Sequence, residues 1–303
     1  MHSSTKPVWK IFGYELVKAK TKHHKQTNKV KKLMVGNYML EIPGNHPMIG
    51  IYKDDAGAKN QLGRLTALIA EKYPSVSIID AGANIGDSIV KIKTAAEVPI
   101  ISIEGDDFLF DLLKRNTMSL KNVTLIKTYL GEKIESKKAA LLHHGWNTTI
   151  IPSEEGNTTI HFKTVDEVLA EEHLQNRMLK LLKINCEGFD TIVMRGAVKL
   201  IREKKPVIYF EYNRNKMEQI GEDGLSTLIA LGAAGYHFIT FFDQNGRFIM
   251  NMPFEQENLI TAMHRYADTD NSCIEYYYVC LFHEDDSDLS EKFIASENSL
   301  PVI

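Results

Sequence analysis

Five apolar, β-rich runs alternate with amphipathic helical patterns through the middle of this 303-residue chain, and that alternation restricts the fold more than any other feature. The runs fall at Val76 to Asp80, Pro99 to Glu104, Val123 to Thr128, Leu179 to Asn185 and Pro206 to Glu211, with helical patterns such as Asp87 to Glu97, Asp107 to Leu120 and Asp190 to Glu203 between them. Nearly continuous hydrophobic strands separated by helices predict a parallel sheet covered on both faces, so the expected class is α/β, doubly wound. Ahead of this region, Gln61 to Tyr73 reads as a helix, with Leu62, Leu65, Leu68 and Ile69 on one face. Lys32 to Pro43 and Pro47 to Lys53 read as short strands around a turn at Gly44-Asn45-His46.

Two stretches break the alternation. Lys138 to Phe162 is Thr-rich, with apolar pieces around a Ser-Glu-Glu-Gly-Asn turn, and is expected to be an inserted β-hairpin. His237 to Phe242, Gly246 to Met250 and Glu275 to Phe282 read as strands, the first two joined through Asp243-Gln244-Asn245-Gly246, which predicts an antiparallel end to the sheet. The uncharged run Leu225 to Phe242 approaches membrane-spanning length, but Gly232, Gly235 and His237 interrupt it. It reads as a helix end followed by a buried strand.

Charge is unevenly distributed. Residues 1–32 hold nine lysines against Glu15 alone, a net of +8, which leaves −11 for the remainder of a chain whose total is −3. Residues 1–32 are therefore set apart as a basic N-terminal extension, suited to a solvated role or to peripheral contact with an anionic surface. Residues 33–303 are treated as one domain, whose acidic balance disfavours a grip on nucleic acid. Cys186, Cys273 and Cys280 have no CxxC spacing, so neither a disulfide framework nor a zinc ribbon is supported and a reducing cytoplasm is expected. The first 13 residues lack the apolar core of a signal peptide.

The chemistry is concentrated at strand ends. Ile78-Ile79-Asp80-Ala81-Gly82-Ala83-Asn84-Ile85-Gly86-Asp87 runs from a buried strand through a glycine turn into a helix, which puts the loop where open α/β sheets bind ligands. Glu104 closes the next strand, at a spacing suited to ribose hydroxyls. A dinucleotide site needs a second glycine where Asn84 stands, and Asp80 and Asp87 would repel phosphate. S-adenosylmethionine, which carries a sulfonium and an ammonium and no phosphate, suits these acids better. No GxxxxGK[ST] or HExxH motif is present.

The order of Asp80-Ala81-Gly82-Ala83-Asn84-Ile85-Gly86-Asp87, Ile103-Glu104-Gly105-Asp106, Lys163-Thr164-Val165-Asp166, Lys183-Ile184-Asn185-Cys186-Glu187-Gly188 and Pro206-Val207-Ile208-Tyr209-Phe210-Glu211 resembles FkbM-family S-adenosylmethionine-dependent methyltransferases, from about Leu33 to His283. The resemblance implies a class I methyltransferase-like, Rossmann-like sheet of seven strands with the last pair antiparallel, and O-methylation, commonly of a sugar hydroxyl. The chain departs from the family's pattern at Asn185, where the family usually has Asp; asparagine can position a hydroxyl but cannot accept its proton.

The residues expected to hold the cofactor are Asp80, Gly82, Asn84, Gly86, Glu104 and Asp106, the last near the adenine. Glu187 and Glu211, at the ends of the fourth and fifth strands, are expected to contact the acceptor hydroxyl or take its proton, beside Asn185. A third ligand that would make these acids a metal site is not evident. His143, His144, Trp146 and Asn147 are candidates for a sugar-binding wall, and Asp166 for a first-turn helix residue behind a Thr164 cap. The expected function is O-methylation of a carbohydrate-containing acceptor, a glycan or small molecule. Methylation of protein or nucleic acid recruited by the basic extension, and a non-catalytic cofactor-binding module, remain as alternatives.

Overall fold

A computed structural model describes residues 9–11, 14–16, 30–44, 46, 49, 60–143, 146–267 and 272–300. The strands are β1 (Trp9–Ile11), β2 (Tyr14–Leu16), β3 (Val30–Val35), β4 (Tyr38–Pro43), β5 (Val76–Ala81), β6 (Ile100–Glu104), β7 (Val123–Lys127) and β8 (Tyr129–Leu130). They continue as β9 (Glu135–His143), β10 (Thr148–Pro152), β11 (Thr158–Lys163), β12 (Met178–Ile184), β13 (Val207–Tyr212), β14 (Tyr236–Phe242), β15 (Phe248–Pro253) and β16 (Tyr277–His283).

The main sheet has eight strands in the order β15-β14-β16-β13-β12-β5-β6-β7, one more than the seven expected. The run β7-β6-β5-β12-β13 is parallel, whereas β16 lies antiparallel between β13 and β14. The additional strand, β15, is the second arm of a hairpin with β14. Its turn is closed by Asp243, whose Oδ1 accepts from the backbone N–H of Asn245 and of Arg247. The chain leaves β5 in one direction for β6 and returns on its other side as β12, so the carboxyl ends of β5 and β12 form the switch point where a doubly wound sheet opens a crevice.

Side-chain alternation divides the core. Ile78, Ile100, Leu181 and Val207 face one layer, packed by Leu65, Ile69, Ile92 and Phe293, while Ile79, Ile101, Leu182 and Ile208 face the other, packed by Val168, Val193, Leu200 and Leu228. Period-two alternation in strands buried on both sides makes each run read as uniformly apolar. The last helix, Ser287–Asn298, and the Asp286 that precedes it are joined to the helix Gln61–Lys72 by ion pairs. The Arg64 guanidinium donates to both Glu297 oxygens at 2.6 and 2.7 Å, and Lys72 Nζ lies 2.8 Å from the fully buried Asp286.

Several local expectations change. Lys32 to Pro43 is an antiparallel hairpin turning at Gly36-Asn37, where Gly36 adopts φ +56°, and its first strand starts at Val30. The expected strand at 47–53 lies outside the described residues apart from Ile49, and most of the basic extension at 1–32 lies outside them too. The helix expected over Asp190 to Glu203 is two helices, Asp190–Arg195 and Val198–Lys204. It breaks at Gly196, where any Cβ would stand 2.1 Å from the Gly131 carbonyl oxygen. The inserted hairpin is larger than expected, a four-stranded sheet ordered β10-β9-β11-β8. Among the described residues, no helix is long and apolar enough to cross a membrane.

Candidate active site

The loop that leaves β5 is shaped by backbone requirements. Gly82 (φ +72°), Asn84 (φ +49°) and Gly86 (φ +91°) all occupy the left-handed region. A Cβ on Gly82 would lie 2.0 Å from the Asn185 carbonyl oxygen, and one on Gly86 would press on Leu113 and Thr117. These glycines therefore let the turn close onto β12 and the next helix.

Beneath the turn lies a buried ion pair absent from the sequence reading. Lys183 Nζ stands 2.8 Å from Asp80 Oδ1 and donates to the Gly82 carbonyl at 2.9 Å, while Ser88 donates to Asp80 Oδ2 at 2.6 Å. Burial works against the Lys183 charge, but Asp80 outweighs it and the pKa is raised. Asp80 is fully buried and, like Gly86, lines neither cavity described below. Its role is to hold the turn from underneath.

Two cavities meet at this turn. The smaller, about 80 Å³, is lined by Gly82, Asn84, Glu104, Asp106, Tyr129, Asn147, Thr148, Asn185 and Glu187 among others. Its described lining includes three carboxylates and no Lys, Arg or His. Glu104 Oε2 accepts from the Asn84 N–H and Oε1 from the Asp106 N–H, both at 2.9 Å. Burial nevertheless pushes its carboxyl up to about 7. Asp106 lines the same cavity, but it is also the N-cap of the helix Asp107–Thr117, where its Oδ1 accepts from Phe108 and Leu109. Gly105 permits the Tyr129 ring to close the wall, since a Cβ there would lie 2.3 Å from it.

A strap from the inserted sheet crosses this cavity. Trp146 O accepts from Asn84 Nδ2 at 3.0 Å, Asn147 Nδ2 donates to Glu187 Oε2 at 2.8 Å, and Thr148 Oγ1 donates to Asp106 Oδ2 at 2.7 Å. Three consecutive residues thus bind the loops after β5, β12 and β6. They narrow the cavity below the roughly 300–1,000 Å³ usual for small-molecule sites.

The larger cavity, about 620 Å³, shares Gly82, Asn84, Asn185 and Glu187 with the first. Its walls include Trp146, Tyr209, Tyr276 and Tyr278, amides such as Gln61, Asn213 and Gln244, and the acids Glu187 and Glu211. Tyr209 and Tyr278 stack with ring centroids 5.7 Å apart, and His46 meets Trp146 edge-on at 5.8 Å. Of the expected sugar wall, Trp146 is present here and Asn147 in the smaller cavity, His143 is exposed on β9 beside Thr148, and His144 lies outside the described residues.

Glu187 and Glu211 come together through a residue not anticipated from sequence. Lys216 Nζ lies 2.9 Å from Glu187 Oε2 and 2.9 Å from Glu211 Oε1. Burial opposes its charge, yet the two carboxylates prevail and its pKa is raised far above the usual lysine range. Asn185 Nδ2 donates to the other Glu211 oxygen at 3.2 Å. An aspartate at 185 would set two carboxylates against each other; the amide in its place removes that repulsion. Asp166 is remote from this cluster: behind the Thr164 cap, its carboxylate accepts from the Lys199 and Leu200 N–H groups at the start of another helix.

A family model described as "Methyltransferase FkbM domain" matches residues 80–238, from Asp80 at the glycine turn through the strap and both acids. No curated protein matches the chain. Among solved structures, a methyltransferase FkbM from Methylobacillus flagellatus KT is 17% identical with a TM-score of 0.32, the match covering 45% of this chain and 32% of that one. A precorrin-6y C5,15-methyltransferase from Geobacter metallireducens GS-15 is 10% identical with a TM-score of 0.38, over 73% of this chain and 86% of that one.

Proposed function

Because the chain belongs to the FkbM methyltransferase family, we propose that it transfers the methyl group of S-adenosylmethionine to a hydroxyl of a carbohydrate-containing acceptor. The observation that carries the cofactor half is the smaller cavity's lining, in which Glu104 and Asp106 stand beside the Lys216-paired Glu187 and no Lys, Arg or His is present among the described residues. Such a lining repels phosphate and favours a ligand with positive charge and hydroxyl donors. Glu104 offers two acceptor oxygens to a ribose diol, and Tyr129, Leu109 and Ile103 offer flat and apolar walls to a base. When bound, S-adenosylmethionine supplies an electrophilic methyl group on a cationic sulfur. For a nucleoside to enter, the Trp146-Asn147-Thr148 strap must lift from the loops it bridges.

The larger cavity supports a glycan acceptor, since aromatic faces and neutral amides recognise the apolar faces and hydroxyls of sugars. Glu187 and Glu211 are placed to align a hydroxyl by accepting its hydrogen bond, with Lys216 fixing both carboxylates. The protein's main task is orientation: the acceptor oxygen must stand in line at about 3–3.5 Å from the methyl carbon. Its proton becomes strongly acidic as the C–O bond forms, so a carboxylate paired with Lys216 is a sufficient base and the amide at Asn185 need not accept it.

The test is incubation of the full chain with methyl-labelled S-adenosylmethionine and a panel of glycans, followed by mild alkali. Alkali-stable label in the glycan fraction is expected of a methyl ether. Label recovered in protein or nucleic acid instead would overturn the acceptor assignment.

A further inference from the structure

Asn84, Asn147 and Asn185 come from three different segments and share one property. Each side-chain carbonyl oxygen is buried and, among the described residues, receives no hydrogen bond. The amide orientations are chemically determined, because each NH2 end is committed to an oxygen that only accepts: Asn84 to the Trp146 carbonyl, Asn147 to Glu187 and Asn185 to Glu211. Flipping any one amide would set two acceptors face to face. All three residues line the smaller cavity.

Three unsatisfied buried acceptors around one cavity call for a partner. We infer that the carbonyl oxygens of Asn84, Asn147 and Asn185 together bind the α-ammonium group of the methionine half of S-adenosylmethionine. This rests on the methyl-transfer reading and specifies how this chain meets the ligand. An ammonium brings three N–H donors and no lone pair, whereas a hydroxyl brings one donor and lone pairs that need donors in return. Of the nearby carboxylates, Asp80 has Lys183 and Ser88, Glu187 and Glu211 have Lys216, and Glu104 and Asp106 are held by backbone N–H groups and, for Asp106, by Thr148. Neutral carbonyls can therefore receive the cation without displacing an existing ion pair. Asn147, carried on the strap, would complete the set as the strap closes.

The test is calorimetric titration of the full chain with S-adenosylhomocysteine and with the same thioether lacking only its α-amino group. The deaminated ligand is expected to bind about 100-fold more weakly, and Asn147→Ala and Asn185→Ala to weaken S-adenosylhomocysteine about tenfold each while leaving the deaminated ligand unchanged. Equal binding of the two ligands by the wild-type protein, which needs no variant to fold, would overturn the inference while sparing the cofactor assignment. Equal weakening of both ligands by the variants would make the amides structural and overturn it as well. Failure of S-adenosylhomocysteine to bind at all would remove the methyl-transfer reading and this inference together.

Discussion

Lys216 and Glu211 form an ion pair 2.9 Å long at the wall shared by the sheet end and the larger cavity, and the same ammonium reaches Glu187 at 2.9 Å. Both carboxylates are thereby held by one cation. Replacing the cation by a neutral side chain of similar length, Lys216→Met, leaves the two acids to repel and relax. Turnover is expected to fall about 10- to 100-fold with a smaller loss of cofactor affinity, since Lys216 does not itself line the smaller cavity and reaches it only through Glu187. Steady-state rates set beside calorimetric affinities separate the two effects; a parallel loss of cofactor binding would contradict the assignment.

The Glu104 carboxyl, pushed up to about 7 by burial, gives cofactor binding a pH dependence. Below that value the free protein carries a protonated carboxyl, while ribose hydroxyls prefer the ionised form. Affinity should therefore rise between about pH 6 and 8 and decline about tenfold for each unit below 7. The stability contribution has the opposite slope: a raised carboxyl favours the folded state at low pH, and that advantage is lost as pH rises from 4.5 through about 7. Glu104→Gln should flatten the binding profile, and an unaltered profile in that variant would assign the titration to another group.

Asp80 and Lys183 are both buried and 2.8 Å apart. Lys183→Met leaves an uncompensated carboxylate under the glycine turn and is expected to cost about 3–5 kcal/mol in urea unfolding. Loss of less than about 1 kcal/mol would mean that the pair is not desolvated as the geometry requires.

Thr148 holds the strap to Asp106 through a 2.7 Å hydrogen bond. Thr148→Val keeps the β-branched shape and deletes that bond, so both association and dissociation of the cofactor should accelerate about three- to tenfold, with a smaller change in the equilibrium constant. Stopped-flow binding reads this directly; unchanged rates would show that the strap does not gate the cavity.

Much of this architecture was legible in sequence because it depends on periodicity and on residues at strand ends. Period-two packing on both faces makes β5, β6, β12 and β13 apolar runs, and Asp80, Glu104, Asn185 and Glu211 mark where those runs stop. Lys183 carries a visible signal: a lysine inside Leu181-Leu182-Lys183-Ile184 has to find an acid, and register pairs it with Asp80. Lys216 gave no comparable signal, because Asn213-Arg214-Asn215-Lys216 reads as an ordinary polar helix start. Its contacts arise from the turn of chain between β13 and the helix Arg214–Gln219. The strap was equally hidden, since sequence marks Trp146 and Asn147 only as candidates for a sugar-binding wall and tertiary packing alone brings Trp146-Asn147-Thr148 across three loops. At Gly82 the structure adds a packing reason that no local pattern shows: the Asn185 carbonyl fills the space its missing side chain leaves.

The cofactor assignment is tested most directly by titrating the folded chain at pH 8 with S-adenosylmethionine and, in parallel, with ATP, which presents the same nucleoside with phosphates. The cavity, lined by carboxylates and, among the described residues, by no cation, calls for saturable one-site binding of S-adenosylmethionine and no measurable binding of ATP. Tight ATP binding, or no heat from S-adenosylmethionine with protein that still unfolds cooperatively, would contradict it.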